Sequence, residues 1–146
     1  MTKSSGFTLI ELLVVVAIIG ILSSIGTLAY NGYLEGTRIK AAENFLVQIG
    51  LAQTDHYADC NSYYSSKKNY CQPSTAEDEC TPDKTSTNKL STELFNKAGY
   101  IDTNNQFNFC SFIKDDGTFE AVALGPGNCK LRVDASGGKV DKTGCN

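Results

Sequence analysis

The sequence predicts an α+β fold: one long N-terminal α-helix packed on a three- or four-stranded antiparallel β-meander. Three observations carry this. From Phe7 to Tyr30 the chain is apolar with a single charge, Glu11. Ala42, Phe45, Leu46, Ile49 and Ala52 then recur at helical spacing. From Gln106 onward the pattern becomes short alternating runs broken by Gly, Pro and Asp. The 146 residues amount to one domain, and 41% hydrophobic with 20% charged residues suits a folded core rather than disorder.

The first element is long enough to span a bilayer, which needs about 20 apolar residues. Lys3 is the one charge before it, so the first six residues are expected on the cytoplasmic side and the rest is exported. A secretory signal peptide is the plain alternative, with Ser24-Ile25-Gly26 or Thr27-Leu28-Ala29 as a small-x-small cleavage site. Two features count against it. The apolar run begins abruptly at Phe7, and Glu11 lies inside it, where a carboxylate is expensive unless paired. The run holds no Lys, Arg or His. Cutting between Gly6 and Phe7 would create an amino group one helical turn from Glu11. That amine can pair with Glu11 of its own chain or of a neighbour. Pairing across subunits would satisfy the charge only on assembly and would fix the axial stagger.

Gly6-Phe7-Thr8-Leu9-Ile10-Glu11, followed by the apolar run Leu12 to Leu22, resembles the class III leader site and N-terminal helix of type IV pilins and type II secretion pseudopilins. The resemblance implies the pilin fold, cleavage after Gly6 by a prepilin peptidase, N-methylation of Phe7 and a need for Glu11 in assembly. It implies an inner-membrane assembly machinery, and no cofactor. The subunit would be a single-pass inner-membrane protein first and part of an extracellular filament, homo-oligomeric or mixed, afterwards. One departure is Leu28, where many family members carry Pro. Gly20, Ser23, Ser24, Gly26 and Thr27 are weaker helix formers than Ala and leave room for local unwinding. The expected organisation is a leader at 1–6, a transmembrane or fibre-core helix at 7–30 and a globular head at 31–146. The head divides into an amphipathic helix at 31–57, an αβ-loop at 58–100, and a sheet with the C-terminal region at 101–146.

The helix is expected to run from about Phe7 to about Tyr57, roughly 75 Å at 1.5 Å per residue. Arg38, Lys40, Glu43, Gln48 and Gln53 fall largely off the apolar stripe. Tyr30 and Tyr33 fit interface aromatics or subunit packing. His56, the one histidine, reads as a packed or capping residue rather than a ligand or base. Residues 59–90 read as a long polar loop pinned by cysteines. Ser91-Thr92-Glu93-Leu94-Phe95 is expected to open a short helix ending at Gly99. Strands are expected from Gln106 to Lys114 and Thr118 to Leu124, joined at Asp115-Asp116-Gly117, a turn signal rather than a calcium site. A last hairpin pairs Lys130 to Val133 with Lys139-Val140 across Ala135 to Gly138.

Cys60, Cys71, Cys80, Cys110, Cys129 and Cys145 all lie outside the apolar run. An even count there suggests up to three disulfides and an oxidising compartment, and the close C-x-x-C pairs of a zinc site are absent. No metal is expected. The segment from Cys129 to Cys145, including Lys130-Leu131-Arg132-Val133 and Gly137-Gly138-Lys139, resembles the C-terminal region of PilE-like minor pilins, which implies a Cys129–Cys145 bond closing a loop. The other four cysteines allow three pairings.

No constellation for catalysis is present: one His, no nucleophile elbow and no phosphate-binding loop, so the chain is not read as an enzyme. The leading reading is a structural subunit of a type IV pilus, serving adhesion, motility or DNA uptake. A type II secretion pseudopilin shares the N-terminus. A third reading is a DNA-binding minor pilin of a competence pilus, with Lys67, Lys68, Lys130, Arg132, Lys139 and Lys142 as a basic strip toward DNA or a host surface. The net charge of −3 argues against a sequence-blind nucleic-acid binder as a whole.

Overall fold

The structure is a computed structural model that describes residues 6–72, 79–101, 106–136 and 138–145, without the side chains of 27–29 and 31. Helix α1 (Leu9–Cys60) runs through two compact units, 1–37 and 38–146, which are taken in turn. In the first unit the helix is unbroken through Gly20 and Gly26, and its described side chains are almost all exposed.

In the second unit the same helix turns an inward stripe. Ala42, Leu46, Ile49 and Gln53 are fully buried and His56 nearly so, at alternating steps of four and three residues that keep one face inward. The helix stops at Cys60, because Asn61 takes a left-handed conformation (φ 54°) that Asn tolerates, while its N–H still donates to the Tyr57 carbonyl at 2.8 Å.

The stripe packs on a four-stranded antiparallel sheet in the order β1 (Asn108–Ile113), β2 (Phe119–Leu124), β3 (Lys130–Asp134) and β4 (Asp141–Thr143). Phe109, Phe119, Ala121, Ala123, Leu131 and Val133 join Ala42, Leu46 and Ile49 in one core. The alanines on both sides let helix and sheet approach closely. The α+β architecture read from the sequence is the one observed.

Two elements differ from expectation. The short helix does not open at Ser91. Helix α2 (Lys84–Lys89) opens seven residues earlier behind a reciprocal capping box: Ser86 N–H donates to Asp83 Oδ1 at 2.6 Å, and Asp83 N–H to Ser86 Oγ at 2.9 Å. The chain continues as one π-helical turn, Leu90–Leu94, and Ser91 is fully buried, its hydroxyl donating to the Thr87 carbonyl. Among the described residues of 58–100, helix therefore begins at Lys84, inside the 59–90 stretch expected as loop.

The last strand also falls later, at Asp141–Thr143 instead of Lys139-Val140, with Arg132 opposite Asp141 and Lys130 opposite Thr143. The Cys129–Cys145 bond lies next to the Lys130–Thr143 pair and fixes the register from that end, leaving a longer connection than the four-residue turn. Between β1 and β2, Asp116 and Gly117 (φ 78°) build a turn, with Thr118 N–H donating to Asp116 Oδ1 at 2.9 Å.

Candidate functional site

The N-terminal segment is one of two places where chemistry concentrates. Gly6 and Phe7 precede the helix, and Phe7 is 87% exposed. Lys3 and the rest of 1–5 lie outside the described residues. Thr8 acts as the N-cap and Glu11 answers it. The Thr8 N–H donates to Glu11 Oε2 at 3.0 Å, the Thr8 hydroxyl donates to the same oxygen at 2.8 Å, and Glu11 N–H reaches back to Thr8 Oγ1 at 3.3 Å. This is a capping box, the T-x-x-E spacing that opens helices. The sequence reading looked for a cation and missed it, although the spacing was there to find. The first cation after Glu11 in the chain is Arg38.

Beyond Glu11, Leu9–Gly26 is long and apolar enough to cross a membrane, with mean hydropathy 2.6 and no part buried. Within it the Ser23 hydroxyl donates to the Ile19 carbonyl at 2.7 Å and the Ser24 hydroxyl to the Ile21 carbonyl at 2.8 Å. Hydroxyls satisfied inside their own helix present no unmet polar group to an apolar surrounding.

The second place is the loop after α1. Gln53, read from the sequence as off the stripe, is its anchor. Its Nε2 donates to the Tyr64 carbonyl at 2.9 Å and to Ser111 Oγ at 2.7 Å, while Tyr64 N–H donates to its Oε1 at 2.7 Å. One buried amide thus ties α1, the loop and β1 together. His56, one turn on, lies 5.6 Å from the Tyr64 ring and 4.7 Å from the Tyr70 ring. Its Nδ1–H donates to the Ser62 carbonyl at 2.8 Å, leaving Nε2 to accept a long 3.5 Å contact from Cys71 N–H. The Tyr64 hydroxyl meets Glu93 at 3.2 Å; burial, then the Glu93 charge, push its pKa far above the ordinary tyrosine value.

The disulfides are Cys60–Cys71, Cys80–Cys110 and Cys129–Cys145. The first closes the loop beside His56. The second fastens the segment before α2 to β1.

The six basic residues named above do not converge. Ser66 lies outside β1, its N–H on the Ser111 carbonyl at 2.8 Å, and Lys67 and Lys68 follow it. Lys142 is on β4, four strand steps away, roughly 19 Å at about 4.8 Å per step. It also faces the helix, where it pairs with Glu43, which takes Lys40 at 3.0 Å as well. Burial opposes ionisation of Glu43, but these two lysines outweigh it and hold the carboxyl below its usual range. Arg132 and Lys130 alternate to the opposite face of β3, where Arg132 lies 3.5 Å from Glu120. Lys139 is exposed just before β4.

Comparison with known proteins adds the following. Residues 1–27 match the family described as the prokaryotic N-terminal methylation motif. The chain is 47% identical over 51 residues to a fimbrial protein of Moraxella nonliquefaciens, covering 35% of this chain and 32% of that one. It is 41% identical over 59 residues to the type IV major fimbrial protein FimA of Dichelobacter nodosus, 39% of this chain and 37% of that one. It is 34% identical over 73 residues to a probable minor fimbrial protein of Dichelobacter nodosus, 50% of this chain and 46% of that one. The N-terminal segment is similar to that of these fimbrial proteins. The matches span between about a third and a half of the length of these relatives. No solved structure matches the chain.

Proposed function

We propose that the chain is a structural subunit of a type IV pilus. In this reading a prepilin peptidase cuts after Gly6, Phe7 is N-methylated, and the subunit waits in the inner membrane on the Leu9–Gly26 helix. An inner-membrane machinery then adds it to a homo-oligomeric or mixed filament on the cell surface. The head carries no catalytic role.

The observation that carries the reading is an apolar helix with no part buried and one carboxylate in its first turn. Such a helix needs an apolar surrounding twice, first lipid and then other copies of itself. Its carboxylate is met by Thr8 within the chain and retains capacity for a cation, which a neighbour's Phe7 amine would supply. The fimbrial names of the relatives support a pilus over a secretion pseudopilus. The dispersal of the basic residues, with Lys142 and Arg132 facing carboxylates, gives no support to a DNA-binding strip.

Glu11→Ala is expected to leave membrane insertion intact and to abolish incorporation into sheared surface filaments, scored by electron microscopy and subunit mass spectrometry. The same spectra report cleavage after Gly6 and the methyl group on Phe7. Normal piliation in the variant would refute the assembly role of Glu11.

A further inference from the structure

The imidazole of His56 is set so that it has no place for a second proton. It is buried near the end of α1, beside the loop that Cys60–Cys71 closes. The Ser62 carbonyl can only accept, so at 2.8 Å from Nδ1 it fixes the proton of the neutral ring there. Nε2 is then the bare nitrogen, and what it meets is a donor, the Cys71 N–H at 3.5 Å. The bonded sulfurs of Cys60 and Cys71, within 4.8 Å of a ring nitrogen, are weak acceptors. A proton on Nε2 would point a charged N–H at a backbone N–H in a buried place. We infer that His56 is a proton-sensitive latch: neutral, it holds the tip of the loop, residues 67–71, against α1, and charged, it releases that tip in mildly acidic surroundings.

The charged groups around the ring do not offer the proton an acceptor. Asp59, three residues on along α1, takes the Tyr70 hydroxyl at 3.3 Å. Glu93, from the π-helical turn, takes the Tyr64 hydroxyl at 3.2 Å. Each carboxylate is thus bonded to a tyrosine that packs on the imidazole, and among the described residues neither pairs with the imidazole itself. Lys67 and Lys68 lie between the two tyrosines and bring like charge to the same loop.

Only the tip is free to lift. Gln53 grips both backbone groups of Tyr64, and the Ser66 N–H holds the Ser111 carbonyl at 2.8 Å; none of these groups titrates near neutrality. At the other end Cys71 is bonded to Cys60. Between these anchors the tip meets α1 through the Tyr70 ring, 4.7 Å from that of His56, the Tyr70–Asp59 bond and the Cys71–Nε2 contact. Two of these three end on His56. Tyr70 and Cys71 are exposed, so water reaches the imidazole as soon as the tip moves.

The size of the effect follows from linkage. A solvated histidine titrates near about 6.5, so at about pH 5 a proton favours the open tip up to about thirtyfold over a closed one that refuses it.

The test uses the full chain in detergent micelles with its disulfides intact. Amide exchange at Cys71 is followed by NMR from about pH 7.5 to about pH 5, each rate divided by that of an unstructured peptide at the same pH. Protection of Cys71 is expected to fall by about ten- to thirtyfold, while Tyr64 and Leu131 keep theirs. The chain has one histidine, so its imidazole resonances report alone and should move over the same pH range. His56→Asn keeps a donor where Nδ1 stands, His56→Gln keeps an acceptor where Nε2 stands, and neither takes up a proton. Both should lose the pH dependence. Asp59→Asn removes the other contact of Tyr70 and should retain it, from a lower starting protection. An imidazole that charges with no change in Cys71 exchange overturns the proposal. So does a fall in protection that persists in either His56 variant, or one that Asp59→Asn abolishes.

Discussion

Replacing Gln53 by Leu tests the buried anchor on which the loop depends. The side chains are close in volume, so the change removes polarity with little cavity. Gln53 is fully buried, and so are Tyr64 and Ser111 around it. The substitution takes away the acceptor at 2.7 Å from Tyr64 N–H and the donor at 2.9 Å to the Tyr64 carbonyl. Each orphaned buried group costs about 1–3 kcal/mol. The Ser111 hydroxyl keeps the Glu120 carbonyl at 3.3 Å and is not orphaned. Two orphans less the small apolar gain of Leu give a loss of about 1–5 kcal/mol, a large part of the roughly 5–15 kcal/mol typical of a domain. The chain has seven Tyr and no Trp, so near-ultraviolet tyrosine ellipticity follows the head during urea unfolding in mild detergent. Amide exchange at Tyr64 should accelerate more than exchange at Leu131 in the distant strand β3. A midpoint shift equivalent to less than about 0.5 kcal/mol, the range of an inert surface change, would refute the reasoning.

Two further outcomes follow from the head. Gly125→Ala is expected to destabilise by about 1–3 kcal/mol, measured by urea unfolding, because the new Cβ would lie 2.4 Å from ring atoms of Phe107, itself buried; Phe107→Leu should recover part of the loss in the double variant. Stability should also fall on acidification below about pH 4. Bonds from Ser86 hold the Asp83 carboxyl below its ordinary value of 3.8, and bonds from Thr118 and Ser136 do the same for Asp116 and Asp134. A carboxyl lowered in the folded state stabilises above its unfolded value, and that contribution disappears as pH falls through the folded one. Asp83→Asn keeps a cap and removes one titration, so its thermal midpoint should depend less on pH between 2 and 5.

The strands of the meander were legible because their signals are local. The Asp115-Asp116-Gly117 turn and the alternation around it give β1 and β2 to within two residues. The inward stripe of α1 was legible only as far as it stayed apolar. It continues through Gln53 and His56 at the same spacing, but a pattern built on hydrophobicity ends where the inward residues become polar. What buries Gln53 is the Tyr64 backbone and Ser111, 11 and 58 residues away, and no window of sequence contains that partnership. The α2 boundary failed for a different reason. Ser91-Thr92-Glu93, where the sequence places the helix start, and Asp83-Lys84-Thr85-Ser86 both carry capping residues. The second prevails because Ser86 and Thr87 also bond β1. At the N-terminus the reverse happened: T-x-x-E was plainly visible at Thr8 and Glu11, but the search for a counter-ion hid a cap.

The two edges of the sheet bear on how copies would join in the proposed filament. Strand β1 would ordinarily present unpaired backbone groups to any passing strand. Here the Phe109 N–H donates to Thr87 Oγ1 at 2.8 Å, and the Phe109 carbonyl accepts the Ser86 hydroxyl at 2.8 Å. Two residues on, the Ser111 N–H donates to Ser66 Oγ at 3.0 Å and its carbonyl accepts Ser66 N–H. Side-chain hydroxyls from the loop and from α2 therefore occupy the places a fifth strand would take. The other edge, β4, is three exposed residues with a lysine at their centre, too short to template a ladder. With both edges closed to strand addition, the sheet serves as a rigid support for the helix and the loop. The large unsatisfied apolar surface lies instead in the segment from Leu9 to Gly26, where Leu9 is 88% exposed. In the proposed filament, association by helix packing suits a move from lipid to other copies, since the backbone of a helix is satisfied in both surroundings, whereas a strand edge would have to be desolvated at each addition.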